Sequence, residues 1–477
     1  MKKITIAFYI LLQGLITVDA TAQTNHVDSP GKMSYIQNAY IKVGIDLNLG
    51  GAITYIADAK KQINLINNFD WGRQVQMSFY SGPVPYQPGN KKAHASWTFI
   101  GWNPIQSGDV AGNRSKVLEY KNTGNSLYVK CIPMHWPLDS VPGECVFESW
   151  IQLKGNAVEV QSRIVNNRLD TTQYKARGQE LPAVYTNTPW HRLVTYKGDK
   201  PFTHDTLSVI ANHNFPGTPS IQWAHWQATE NWAANVDENN CGLGIWNAEV
   251  QNFSGGYYGD STFEGGSKDA GTGYISPVNI EVLDHNITYA YNYTLIVGSL
   301  KEIRDYVYKN NPSMQLPTWY FKNDRRHWTF ENTTDAGWPI KDGLVVKLKK
   351  NAAMISPYTF WKAKEAPLLV VEAAYDGDIK KAKVYWRIFN EKFEEKNSFY
   401  VDSNFFQFFS YKLLKGNITT ALMQPDAVLL TEDIAKKYFG NEEAIGKILK
   451  TDNNGTCIVT GVLENAPSNS HFQFDVL

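Results

Sequence analysis

Cysteine is scarce: the 477 residues hold four, Cys131, Cys145, Cys241 and Cys457. That excludes a disulfide scaffold and leaves one pairing open, Cys131 with Cys145 across a hairpin turning near Pro137–Gly143. No C-x-x-C or H-E-x-x-H spacing occurs among the cysteines and ten histidines, so neither a metal nor another cofactor is expected. No Walker-type loop is present, which excludes an internal ATPase. Charge of one sign is also missing. Lys and Arg number 46 and so do Asp and Glu, so nothing steers the chain toward nucleic acid or an anionic membrane. Beyond the first 22 residues no apolar run is long enough to span a bilayer. Helical periodicity is nearly absent from residues 36–298.

The start of the chain reads as an export signal over residues 1–22. Lys2 and Lys3 precede the apolar segment Ile4–Val18, and Ala20-Thr21-Ala22 is a cleavage site of the A-x-A kind. Residues 23–35 are expected to be a linker. An exported protein in the periplasm, at the cell surface or secreted follows from this. From Tyr40 the chain is written in period two. Ile41, Val43, Ile45 and Leu47 alternate with Lys42, Gly44 and Asp46, and Gly50-Gly51 turns the chain into a strand at Ala52–Ile56. The same alternation recurs in Ala157–Ile164 and, more loosely, in Leu127–Ile132 and Tyr289–Val297. Gly, Pro and Asn clusters separate these runs, so an antiparallel sandwich is expected over 36–298. Ser299 and Glu302 have capping-box spacing ahead of a short helix, within a connector over 299–317. A smaller β sandwich is expected over 318–398, with strands at Gly343–Leu348, Leu368–Ala373 and Lys383–Ile388. It is a candidate carbohydrate-binding domain because Trp319, Trp328, Trp338, Trp361 and Trp386 crowd into it. Near residue 400 the pattern changes. Thr431, Glu432, Asp433, Lys436, Lys437 and Gly440 mark out a helix, and Cys457–Leu463 a strand. The expected class is mainly β: an antiparallel supersandwich, a smaller β sandwich and a short α+β fragment.

Two family resemblances follow. Residues 401–477 resemble the periplasmic core domain of MacB/FtsX-type ABC transporter permeases, through Val401–Gly416 (VDSNFFQFFSYKLLKG), Val428–Lys447 (VLLTEDIAKKYFGNEEAIGK) and Ile458–Asp475 (IVTGVLENAPSNSHFQFD). In that family the domain lies between membrane helices, does no chemistry and relays motion to the periplasm. The membrane helices do not appear here, so the resemblance implies a domain fragment with an unknown protein partner, without transport. Residues 36–298 resemble secreted proteins of the galactose-mutarotase-like supersandwich type, through the opening Ile41–Ile56 (IKVGIDLNLGGAITYI) and clusters of polar and aromatic residues. The mutarotase's own motifs are not evident, so that activity is not implied.

The densest chemistry lies in Gln179–Arg192, where Glu180, Tyr185, Trp190, His191 and Arg192 fall within one stretch punctuated by Pro182 and Pro189. Three further clusters mix aromatic faces with polar groups, as a sugar site requires. They supply Arg73, then Trp102 and Asp109, then His225, Trp226 and Glu230. A glycosidase needs two carboxyls about 5–10 Å apart, for which Glu180 and Glu230 are the expected pair. A lyase needs a base and a carboxylate-neutralising cation, for which His191 or His225, Tyr185 and Arg73 or Arg192 are suited. The expected catalytic set is therefore Glu180, His191 and Glu230. Arg73, Trp102, Asp109, Tyr185, Trp190, Arg192, His225 and Trp226 are expected to bind a polysaccharide or oligosaccharide. Three readings stand: a polysaccharide hydrolase or lyase, a non-catalytic glycan-binding protein, and a permease-related periplasmic interaction protein.

Overall fold

The computed structural model describes residues 32–216, 223–311, 313, 316–377, 382–387, 389, 397–424, 426–440, 443–450, 456–467, 470 and 472–477. The expected export signal lies outside them, as does most of the expected linker, whose last residues belong to the strand Met33–Gln37. The chain divides into two compact units, and the division among the described residues falls between Leu368 and Leu369. No helix of the described residues is long and apolar enough to cross a membrane.

The larger unit is built from two largely antiparallel sheets. The first runs Met33–Gln37, Ile41–Asp46, Ala52–Asp58, Val75–Ser78, Arg177–Asn187, Thr272–Glu281 and Asn252–Tyr258 in spatial order, with Ala224–Gln227 beside the last. The second runs Ser208–Ile210, Arg192–Thr195, Trp232–Val236, Cys241–Trp246, Thr288–Ser299, Ala157–Asn166, Cys145–Lys154, Ser126–Ile132 and Lys116–Asn122. Alternation decides what each strand buries. Ile41, Val43 and Ile45 from the first sheet meet Val158, Val160 and Ile164 from the second in one apolar core. The turn at Gly50-Gly51 needs glycine: φ is 59° and 74°, and a Cβ on Gly50 would lie 2.0 Å from the Gln106 carbonyl oxygen.

Helix α1, Leu300–Asn310, closes one end of the second sheet. The expected capping box is formed, Ser299 Oγ accepting from the Glu302 N–H and Glu302 from the Ser299 N–H. Its Ile303 and Val307 are buried against Val194, Trp232 and Ile296. Cys131 lies opposite Phe147, so Cys145 is two residues out of register with it. The pairing left open by sequence is not made, and both thiols are free and buried.

The expected sandwich over 318–398 is not built among the described residues. The sheet there has two strands, Thr329–Glu331 and Ala353–Ile355. Gly343–Leu348 has an isolated bridge at Val346, and Leu368–Ala373 has no strand. Leu368 and Val370 are 83% and 86% exposed. An apolar run forms a strand when a partner strand and a facing layer bury it, and these runs have no such layer among the described residues. Within Lys383–Ile388, residues 383–387 carry no strand and Ile388 lies outside the described residues. The tryptophans do not fill one core: Trp338 packs against the main sandwich, Trp319 and Trp328 meet edge to face at 5.2 Å, and Trp386 is exposed.

The smaller unit holds α2 (Phe405–Phe408), α3 (Glu432–Phe439) and a sheet of Leu413–Gly416, Ala427–Thr431, Ile448–Lys450 and Thr456–Leu463. Val428, Leu430, Ile434, Val459 and Val462 form one small core, and Phe405, Leu429, Leu463 and Phe474 another. Thr431 stands at the N-cap of α3, but its hydroxyl makes no capping bond and donates to the Asp475 carbonyl at 3.4 Å.

Candidate functional site

The outer face of the first sheet is polar. On Arg177–Asn187 and its neighbours, Val184, Ile275, Phe253 and Trp226 point into the core. The residues between them therefore face outward. Register puts Tyr185 opposite Tyr274, Ser276 opposite Ser254, and Ser254 opposite His225. A register shift between Glu180 and Val184 breaks the ladder where Glu180 stands opposite Ser78.

Glu180 is the centre of this face. Tyr80 Oη donates to its Oε2 at 2.6 Å, and Tyr274 Oη donates to its Oε1. Ser78 Oγ in turn donates to Tyr80 Oη at 2.9 Å. The rings of Tyr185 and Tyr274 lie 4.8 Å apart, and Trp223 packs on Tyr274 at 4.9 Å. Burial first, and then the Glu180 charge, push the Tyr80, Tyr185 and Tyr274 hydroxyls well above the ordinary phenol range. They stay protonated, and Tyr80 and Tyr274 donate to Glu180. Asp70 and Arg73 both act on the Tyr185 hydroxyl through their charges, and Arg73 Nε lies 3.2 Å from Asp70 Oδ2. Burial lowers His225 to about 4, so its imidazole is neutral at neutral pH.

Four of the residues picked from sequence thus share this face or its rim: Glu180, Tyr185, Arg73 and His225. The others are placed elsewhere. Glu230 is 0% exposed. Its Oε1 accepts from Arg304 Nη2 at 2.8 Å, Tyr308 Oη at 2.6 Å and the Phe202 N–H at 2.9 Å. Its Oε2 accepts from Arg304 Nε and Trp232 Nε1, each at 3.0 Å. These partners share no residue with those of Glu180. The expected carboxylate pair is therefore not formed, because Glu230 anchors α1 to the second sheet.

His191 lies at the turn where the chain leaves one sheet for the other. Its ring stacks on Phe263 at 3.7 Å and pairs with Glu238 at 3.1 Å, while burial lowers its basicity. Arg192 donates to the Asp237 carbonyl at 3.2 Å and to Asn240 Oδ1 at 3.1 Å, tying down the turn before Cys241–Trp246. Trp190 packs against the sandwich core, and Trp226 is buried within it. Trp102 is fully buried and donates from Nε1 to Glu144 Oε2 at 3.1 Å. Asp109 is buried and holds the Asn113 and Ser140 N–H groups, each at 2.8 Å.

Sequence reasoning missed Tyr80 and Tyr274. A signal existed for the first: Gln76, Ser78 and Tyr80 alternate with Met77 and Phe79, a polar row along a buried strand. Among the described residues no group of His, Cys, Asp and Glu is arranged to hold a metal ion.

The family model of the MacB-like periplasmic core domain matches residues 331–477. This extends the resemblance read from residues 401–477 toward the N-terminus. No curated protein matches the chain. Solved structures like it include a galactose mutarotase related enzyme from Lactobacillus acidophilus, 13% identical over 56% of this chain and 97% of that one, TM-score 0.34. A galactose mutarotase-like protein from Lactobacillus casei ATCC 334 is 10% identical over 56% and 99%, TM-score 0.34. Another from Clostridium acetobutylicum is 9% identical over 57% and 96%, TM-score 0.33. Likeness of this size says nothing of reaction or substrate; the sandwich itself is read from the strand order above.

Proposed function

We propose that the larger unit is a carbohydrate-active enzyme that cleaves a uronic-acid polysaccharide by elimination. Glu180 acts as base and takes the C5 proton. The electron pair forms the C4–C5 double bond, and the C4–O4 bond breaks. Tyr185, protonated and on the same face, gives its proton to O4. Arg73 offsets the charge that develops on the substrate carboxylate. What carries this reading is Glu180, held between two phenols on an outward face that also presents Tyr185 and His225. Hydrolysis is supported less, because the second carboxylate it requires, Glu230, is engaged in a buried ion pair. We place the protein on the periplasmic side of a membrane, a reading supported by the periplasmic core domain match.

The test incubates the full chain with uronic-acid and neutral polysaccharides. Reducing ends and the ultraviolet absorbance of unsaturated products are followed together. Both signals should rise on a uronic-acid substrate, and Glu180→Gln should lower them by at least about 100-fold. Reducing ends without absorbance would mean hydrolysis. Silence from a folded protein would favour glycan binding without catalysis, a second reading supported by the phenols that already occupy both Glu180 oxygens.

A further inference from the structure

Among the described residues, α1 packs with Phe202 and Leu207 on one end of the outer face of the second sheet. Beyond the helix lies an open groove of about 900 Å³. Its floor is a row across four adjacent strands: Tyr128 opposite Trp150, Trp150 opposite Gln161, and Gln161 opposite Asn292. At the usual spacing of neighbouring strands the row spans roughly 14 Å. All four side chains point away from the core, because Leu127, Ile151, Val160 and Tyr293 take the inward positions.

The rings in this row are fixed from beneath. Glu148 is 6% exposed. It accepts from Tyr128 Oη at 2.9 Å and from Arg163 Nε at 2.8 Å, with Arg163 Nη2 at 2.6 Å. The Arg163 guanidinium lies 5.0 Å from the Trp150 ring centre, and the Tyr128 and Trp150 rings are 5.3 Å apart. A surface set in advance loses less side-chain freedom on binding.

Charge in the groove cancels. Glu148 is matched by Arg163, Glu159 by Lys154 at 3.0 Å, and Glu119 by Lys121 at 3.2 Å. What remains are two aromatic rings, the exposed amides of Gln152, Gln161 and Asn292, and the hydroxyl side chains of Thr123, Ser126 and Thr294. Among the described residues that line the groove each cation has a carboxylate partner, and Lys130, just outside the lining, stands opposite Glu148. Two rings set among amides are too little apolar surface for a protein interface. An uncharged chain with apolar ring faces and many hydroxyls suits both features.

We propose that this groove is a second carbohydrate-binding site, which takes a neutral oligosaccharide segment laid across the four strands, with Trp150 as the stacking platform and Gln161 and Asn292 as hydrogen-bonding groups. It is distinct from the Glu180 face and does not depend on elimination there. A neutral site on an enzyme acting on acidic sugars would hold it to the uncharged units of a mixed polysaccharide.

The test is native affinity electrophoresis of the full chain in gels containing galactomannan, xyloglucan or arabinan, with polygalacturonate as the acidic probe. Retardation is expected in at least one neutral gel. Trp150→Ala should weaken it roughly tenfold, about one lost stacking contact, and Gln161→Ala several-fold. Trp150→Ala should leave the release of unsaturated product from polygalacturonate unchanged. The proposal is overturned by no retardation in any neutral gel, or by retardation in polygalacturonate alone. It is equally overturned if Trp150→Ala and Gln161→Ala both bind as the parent does. Retardation lost in Glu180→Gln but kept in Trp150→Ala would put the ligand on the other face, overturning this proposal and sparing the reading of Glu180. Should Trp150→Ala fail to fold, the exposed pair Gln161→Ala and Asn292→Ala decides.

Discussion

Glu180 and Glu230 show how the same side chain meets two different surroundings. Glu230 is enclosed with Arg304, and removing one partner of a buried ion pair strands the other. Glu230→Ala is expected to cost about 3–5 kcal/mol in urea denaturation. Around Glu180 the phenols matter instead. Tyr274→Phe deletes a donor to a carboxylate, a bond worth about 1.5–3 kcal/mol. If the proposed elimination occurs, release of unsaturated product should fall by roughly tenfold or more, with the fold intact by circular dichroism. Glu144 gives a pH signature. Burial opposes its charge, but His135 and Tyr86 donate to it, and its carboxyl is lowered to about 2. Because the folded value is depressed, the contribution is complete above its ordinary value of 4.5 and is lost as pH falls toward 2. Glu144→Gln should flatten that part of the urea-midpoint profile. The sequence stretch that brought Glu180, His191 and Arg192 together misled for a plain reason. The chain passes from the first sheet to the second between Asn187 and Arg192, so neighbours along it part in space. Residues far apart in sequence, Tyr80 and Tyr274, close around Glu180 instead.

At the scale of elements, alternation was readable wherever a second sheet exists to bury one side. Ile41–Asp46, Ala52–Asp58, Ala157–Asn166 and Thr288–Ser299 fall where period two places them. Gly343–Leu348 and Leu368–Ala373 carry a similar apolar content without a facing layer among the described residues, and apolar content alone does not make a strand. Helix ends followed local chemistry where the cap was local. Ser299→Ala should remove the capping bond of α1 and cost about 1 kcal/mol. Thr431 bonds to Asp475 instead, a partner that no local pattern reveals.

At the scale of the molecule, the family-model match and the packing draw the border differently. The periplasmic core match begins at residue 331, but the first part of that match belongs to the larger unit. Arg325 explains some of this. It bridges Asp284 and Asp335 through buried ion pairs, and Phe360 donates its N–H to Gln251 Oε1 at 2.7 Å. Calorimetry should resolve two transitions, as expected of two separate cores, and a single cooperative one would contradict the division. The distribution of sulfur makes that experiment easier to read. Cys131 and Cys145 are enclosed, while Cys241 and Cys457 are only partly so, one in each unit. Nature has left one reachable handle on either side of the border. A fluorophore carried on Cys241 and another on Cys457 would let each half announce its own melting.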